Sequence, residues 1–283
     1  MAIALDSLPA GTPLADDIRL VFFDIDGTLL DREGQLQPAT RKAIATLHQR
    51  GVMTAFASGR PPFAADALQA ELQLTGPSVF YTGGHCVWQG STFADHTLAP
   101  DEWHALARQA RAQSIYLEGY FDDHYVTCSA SDITAEHARH LRVQPRLLPF
   151  GQWPRQPAKK LLLGVNLERE PEGLAALEAD FPAFHFAYAH LPSRPQWQFA
   201  SVVSRFVDKT DLFHRLVNHL GLVPGQVAAF GDGGSDQAFL QAAGHGVAMG
   251  NASAQVKACA RWVTRPSWED GVAYGLDRLL GNR

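Results

Sequence analysis

Leu20-Val21-Phe22-Phe23-Asp24-Ile25-Asp26-Gly27-Thr28 joins a continuous apolar run to two aspartates and a glycine. Four apolar residues in succession are the pattern of a strand covered on both faces. Where such strands form an open parallel sheet, ligands bind outside their carboxyl ends, which is where Asp24 and Asp26 fall. Residues two apart on an extended segment point the same way, so both carboxylates can face one site. Gly27 permits a sharp turn after them, and Thr28 can cap the next segment. Two carboxylates this close repel unless a cation lies between them, and a hard divalent ion with oxygen ligands, Mg²⁺ above all, suits the pair. Taken alone, the stretch reads equally well as a solvated Asp-x-Asp-Gly turn.

Outward from this strand the pattern alternates. Pro38 opens a helix over 39–49 and Gly51 stops it. A second buried strand is expected over 52–57. Pro61-Pro62 starts a helix reaching residue 72, and Val79-Phe80-Tyr81 forms a third strand running into Thr82-Gly83-Gly84. Strand, helix, strand, helix, strand predicts parallel pairing and an α/β fold with a doubly wound sheet. The C-terminal part repeats the alternation, with helices over 212–220, 237–243, 252–260 and 268–280 and strands over 227–230, 247–249 and 262–263. Between residues 86 and 199 aromatics, histidines and prolines crowd together. Strand-like pieces at 116–118 and 161–165 alternate there with helical ones at 101–112 and 172–181. The expectation is one catalytic domain of residues 1–84 and 200–283, with a second α/β domain, 85–199, inserted into it. Gly83-Gly84 serves as the outgoing hinge and the return crossing falls within 195–204.

A second acidic loop strengthens the first. Phe230-Gly231-Asp232-Gly233-Gly234-Ser235-Asp236 again ends an apolar strand in an aspartate, with glycines and a further carboxylate after it. Asp232 completes a metal site with the first pair, and Asp236, one helical turn on, ligates directly or through water. The plain alternative, a glycine-rich loop capping the next helix, does not explain why two such loops occur in one doubly wound domain. Ser58, in Ala57-Ser58-Gly59-Arg60, ends the second strand at the mouth of a helix, where backbone N–H groups favour anions. By itself it reads as a helix cap. Lys209, in Val207-Asp208-Lys209-Thr210, reads by itself as a surface lysine. Together the two supply the donors and positive charge that phosphoryl transfer needs.

These four segments, in this order, resemble the haloacid dehalogenase superfamily of phosphatases, and in particular its Cof-type branch, which carries a large α/β cap of type IIB after the second motif. Gly246-Val247-Ala248-Met249-Gly250-Asn251-Ala252 and Glu269-Asp270-Gly271-Val272-Ala273 are similar to that branch's C-terminal segment. The resemblance implies that Asp24 is a nucleophile forming an aspartyl-phosphate, and that Asp26 protonates the leaving alcohol and then deprotonates water. It implies that Mg²⁺ is held by Asp24, the Asp26 backbone carbonyl and Asp232, supported by Asp236. Ser58, Gly59, Lys209 and Ser235 then bind the phosphoryl group. Two departures stand out: the family usually has Asn where this chain has Ser235, and the branch usually has Asn where it has Thr82. The cap is expected to close over the site and read the leaving group, with Asp122, Asp123, His124, Lys159, Lys160, Arg194 and Trp197 as polar or aromatic candidates. His85 and His124 are read as structural. The implied substrate is a small phosphorylated metabolite, a sugar phosphate or a cofactor-like phosphomonoester. A phosphosugar mutase and a non-catalytic phosphometabolite sensor are the rival readings.

Composition agrees with this. The chain has 283 residues, 46% apolar and 19% charged, with a formal net charge of −5. The size allows one large or two ordinary domains. The charge argues against a sequence-independent nucleic-acid binder. Cys86, Cys128 and Cys259 are odd in number and far apart, as reduced thiols in a cytoplasmic protein are. Residues 1–17 lack Lys and Arg and look like a loose leader rather than a signal peptide. No stretch approaches the roughly 20 apolar residues of a membrane span.

Overall fold

The computed structural model describes residues 2–9, 13–15, 17–189 and 194–281. Leu20–Phe23 is a strand with all four residues buried. It lies inside a six-stranded parallel sheet in the order Ile3–Ala4, Trp262–Val263, His245–Ala248, Val227–Gly231, Leu20–Phe23, Met53–Phe56. The chain passes from Leu20–Phe23 to its neighbour Met53–Phe56 through the helix Pro38–Gln49, and much later adds Val227–Gly231 on the other side. The strand order therefore reverses at Leu20–Phe23, the crevice where sheets of this kind bind ligands. Among the described residues, no helix is long and apolar enough to cross a membrane.

Two expectations about the sheet change. The leader is not loose where it is described: Ile3–Ala4 pairs in parallel with Trp262–Val263 as the sheet's edge, and Leu5 is fully buried. The third strand, Ser78–Phe80, runs parallel to its neighbour as expected, but among the described residues it meets the parallel sheet only at the bridge Ala57–Val79. It also pairs antiparallel with His85–Trp88. In the turn between those two strands Tyr81, Thr82 and Gly83 have φ of 50°, 60° and 101° and reverse the chain. Gly83-Gly84 thus closes a hairpin and is not the point of departure.

Thr82 is a β-branched residue in the left-handed region (φ 60°, ψ 27°), where Asn is tolerated far better. Thr82→Asn is expected to stabilise the protein by about 1 kcal/mol, raising the melting temperature by roughly 2–4 °C. A calorimetric scan showing no rise would mean the turn is not strained at this residue.

The described residues fall into two compact units. One contains the chain up to Gly59, Ala67–Phe93 and the chain from Asp208 onward; the other contains Arg60–Asp66 and Ala94–Val207. The borders drawn from the sequence, 84/85 and 199/200, lie several residues before these crossings. The strand Trp197–Ser204, placed in the return crossing by the sequence, pairs along its length with Lys160–Asn166 and Phe184–Ala189 in the second unit's sheet. The helix expected up to residue 72 is broken into the 3-10 turn Pro62–Ala64 and the helix Asp66–Leu72. Within the second unit, the Arg60 guanidinium donates to the His140 carbonyl (2.9 Å), and the Phe63 ring stacks on Tyr125 (6.5 Å).

The second unit is a mostly antiparallel sheet in the order Phe184–Ala189, Trp197–Ser204, Lys160–Asn166, Tyr116–Tyr120, Tyr125–Thr127, Arg146–Leu147. Leu117, Phe121, Leu161 and Leu163 pack with Trp103, Leu106 and Trp153 in one core, as alternation along the strands requires. The helix Asp132–Leu141, not anticipated from the sequence, is capped by the Ser131 hydroxyl, which accepts from the Thr134 N–H. The helix expected over 172–181 is confined to Ala175–Asp180.

Candidate active site

Register brings the acidic loops together. Phe23 pairs with Phe230 on one side and with Phe56 on the other. The Asp24 N–H donates to the Phe230 carbonyl (2.9 Å) and the Ala57 N–H to the Phe23 carbonyl (2.8 Å). Asp24, Ser58 and Asp232 therefore leave three neighbouring strands at the same end, within two residues of the last pair. Gly27 turns the chain with φ +79°, and a Cβ there would lie 2.3 Å from Asp232 Oδ2. No helix follows Thr28, which does not cap; its hydroxyl is buried with no hydrogen-bond partner.

Asp24, Asp232 and Asp236 each offer a carboxylate oxygen within 4.8 Å of the others. Asp24 is held well above the usual carboxylate range, first by burial and then by the charges of Asp236, Asp232 and Asp26. Burial, Asp236 and Asp26 push Asp232 up to about 7, against a hydrogen bond from Asn251. Three hard oxygen donors that destabilise one another's ionised forms are the donor set that fits a divalent cation such as Mg²⁺. Asp26 enters through its charge on Asp24 and Asp232; its side chain lies outside the group of three. Asp236 is already engaged. Its Oδ2 accepts from the Asp232 N–H (3.1 Å) and the Gly233 N–H (2.8 Å), and its Oδ1 from the Ser235 hydroxyl (3.1 Å). That carboxylate braces the loop carrying Asp232.

Lys209 is the first residue of the helix Lys209–His219, whose N-terminus is fixed by the Asp208 carboxylate accepting from the Thr210 and Asp211 N–H groups. Its amino group donates to the Ser235 carbonyl. Burial lowers its pKa while Asp236 and Asp24 oppose the shift, which places a cation beside those two carboxylates. Ser58, Lys209, Ser235 and Asp236 line one concavity. Ser58 is not at a helix mouth: Gly59, Arg60 and Pro61 separate it from the short turn Pro62–Ala64, and neither proline has an N–H to donate. It is held by its backbone, with its N–H on the Val79 carbonyl (2.9 Å) and its carbonyl accepting from Thr82 (3.2 Å). Gly59 lies beside Thr82; a Cβ there would be 3.4 Å from Thr82 Oγ1. The Ser235 hydroxyl is spent on Asp236, so the residue's contribution to the concavity is chiefly its backbone.

Asn251 is a site residue to which sequence reasoning gave no role. Its Nδ2 donates to Asp232 Oδ2 (3.0 Å) and to the Gly27 carbonyl (2.9 Å). The signal was present in Gly250-Asn251-Ala252, just past a buried strand end, but its partners are over 200 and about 20 positions away.

Several second-unit candidates are engaged locally. Lys159 pairs with Asp95 (2.7 Å) and Asp122 (3.1 Å), His124 with Asp123 (2.6 Å), and Arg194 with Glu136. Trp197 stacks on Phe199. Lys160 is buried over the Tyr120 ring, and desolvation lowers its pKa to about 8. His85 packs edge-on against Tyr81.

Comparison with known proteins identifies the family. The family model described as haloacid dehalogenase-like hydrolase matches residues 21–276. A Bacillus subtilis (strain 168) protein named "Putative phosphatase YkrA" is 30% identical, covering 93% of this chain and 98% of its own. The 5-amino-6-(5-phospho-D-ribitylamino)uracil phosphatase YwtE of the same organism is 25% identical over 94% of this chain and 99% of its own. Among solved structures, a haloacid dehalogenase-like hydrolase from Bacteroides thetaiotaomicron superposes with a TM-score of 0.81 at 25% identity, covering 93% of this chain and 100% of that one.

Proposed function

We propose a mechanism from one premise: the chain belongs to the haloacid dehalogenase-like hydrolase family, whose model spans most of its length and whose members similar to it are named phosphatases. It is a Mg²⁺-dependent phosphatase that hydrolyses a small phosphorylated metabolite, a sugar phosphate or a cofactor-like phosphomonoester. The observation that carries this reading is the group of Asp24, Asp232 and Asp236 oxygens within 4.8 Å, with the Lys209 amino group beside Asp24 and Asp236. A buried acidic group paired with a cation at the switch point of a parallel sheet suits metal-assisted chemistry on a phosphoryl group.

In this reading an Asp24 carboxylate oxygen attacks phosphorus. The new O–P bond forms as the ester P–O bond breaks, and Asp26 delivers a proton to the departing alkoxide oxygen. Asp26 then takes a proton from the water that attacks the aspartyl-phosphate, releasing inorganic phosphate and restoring Asp24. Lys209 and the Ser58 hydroxyl hold the phosphoryl oxygens, with the Gly59 and Ser235 backbones at the edge of the same cradle. Asp24, the Asp26 carbonyl and Asp232 would hold Mg²⁺, which supplies positive charge against the phosphoryl oxygens and the clustered carboxylates. Asp236 keeps the Asp232 loop in place. The second unit acts as the cap that selects the leaving group, an assignment supported by the family rather than by any one of its side chains.

The test is release of inorganic phosphate from a panel of phosphorylated metabolites, with Mg²⁺ and after chelation. Turnover should be lost on chelation and return with added Mg²⁺. Turnover that persists without a divalent cation would overturn the mechanism. Interconversion of sugar phosphate isomers without phosphate release would identify a mutase.

A further inference from the structure

We infer that Asn251 is a positioning residue that holds Asp232 in the orientation needed to bind the divalent cation, and so sets the metal affinity of the site. The inference rests on the metal-site reading above. Asn251 stands past the strand His245–Ala248, and its amide reaches loops that follow three other strands of the same sheet. Nδ2 donates to the Gly27 carbonyl (2.9 Å), past Leu20–Phe23, and to Asp232 Oδ2 (3.0 Å), past Val227–Gly231. Oδ1 accepts from the Ser267 N–H (2.9 Å), past Trp262–Val263. Two acceptors on one side and one donor on the other leave a single amide orientation that satisfies all three contacts.

The loop is itself anchored. The Gly250 N–H donates to the Arg265 carbonyl (3.0 Å), and the Lys257 amino group donates to the Gly250 carbonyl (2.6 Å). Asp232 Oδ2 accepts from the Asn251 amide and lies close over Gly27, where an added Cβ would come within 2.3 Å. The Asn251 hydrogen bond thus fixes Oδ2 and, with it, the orientation of the carboxylate. Because the same amide holds the Gly27 carbonyl, it also couples the turn after Asp24 and Asp26 to the loop of Asp232. Groups that orient metal ligands in this way typically contribute about 10–100-fold in metal affinity.

The experiment is calorimetric titration of Mg²⁺ into metal-stripped protein without substrate, for the unsubstituted chain, Asn251→Ala and Asn251→Ser. Circular dichroism and melting temperature establish that each variant is folded. Asn251→Ala should bind Mg²⁺ about 10–100-fold more weakly, with Asn251→Ser, which keeps a shorter donor, in between. The Mg²⁺ concentration for half-maximal turnover should shift by the same factor, while KM at saturating Mg²⁺ changes less than about threefold. A merely structural role would lower the melting temperature and leave Mg²⁺ affinity within about twofold, and that result overturns the inference. If Asn251→Ala does not fold, Asn251→Ser decides by the same criterion. Absence of Mg²⁺ binding in the unsubstituted protein would overturn the metal-site reading as well, so the two failures are distinct.

Discussion

Asp24→Asn is expected to reduce phosphate release by about 10⁴-fold or more, because an amide cannot form the acyl-phosphate bond on which both half-reactions depend. The same substitution should make the metal-free protein more stable. Asp24 is buried, and its carboxylate lies with those of Asp232 and Asp236 in one group. Burial first, and then the charges of Asp236, Asp232 and Asp26, keep its ionised form unfavourable. Removing one charge while keeping the shape relieves that penalty. A gain of about 1–2 kcal/mol, or roughly 2–8 °C in melting temperature, is expected in the presence of chelator. The two readouts separate the roles: a site built for chemistry loses activity and gains stability. A lower melting temperature in Asp24→Asn would show that the carboxylates do not oppose one another in the folded protein.

Gly27→Ala should have the next largest effect. The substitution forces alanine into φ +79°, and its Cβ would meet the Asp232 carboxylate at 2.3, 2.7 and 2.9 Å. Backbone strain alone accounts for about 1–2 kcal/mol. Displacing Asp232 adds a second loss, because a misplacement on the order of 1 Å at a reacting centre lowers turnover by about 100-fold. Gly51→Ala separates the two contributions. Gly51 has φ +71°, and a methyl group added there would meet nothing within 4 Å, so it carries the strain without the collision. It should lower the melting temperature by a few degrees (about 1 kcal/mol) and leave turnover within about twofold. Equal activity in the two variants would mean that Asp232 does not need its observed position.

The parts of the fold that were legible are those set by short-range patterns. Leu20–Phe23 and Trp262–Val263 have the limits expected from their apolar runs, and Pro38–Gln49 begins at its proline and ends just before Gly51. A shift in composition marked residues 86–199 in the sequence, but which strands pair there is decided by partners distant in the chain. Trp197–Ser204 joins the second sheet through partners 31 or more positions back along the chain in Lys160–Asn166, and through Phe184–Ala189. Likewise, Ser78–Phe80 meets the sheet in a parallel bridge as its pattern suggested, but the left-handed run Tyr81-Thr82-Gly83 gives it His85–Trp88 as a second, antiparallel partner. Periodicity reports burial and says nothing of which strand supplies the cover.

The same division runs through the site. The sequence by itself determined the acidic pair Asp24 and Asp26, the second acidic loop at Asp232 and Asp236, and their places after buried strands, because a strand followed by carboxylates and glycine is a local pattern. Only the tertiary structure decided that Phe23 and Phe230 lie in register, which brings Asp24 and Asp232 to one end of the sheet. It also decided that Asp236 is occupied with its own loop and that Ser58 is held by Val79 and Thr82 rather than by a helix. Asn251 reaches across to Asp232 in the same way. These are hydrogen bonds between loops distant in the chain, and they exist only once the parallel sheet has aligned the strand ends.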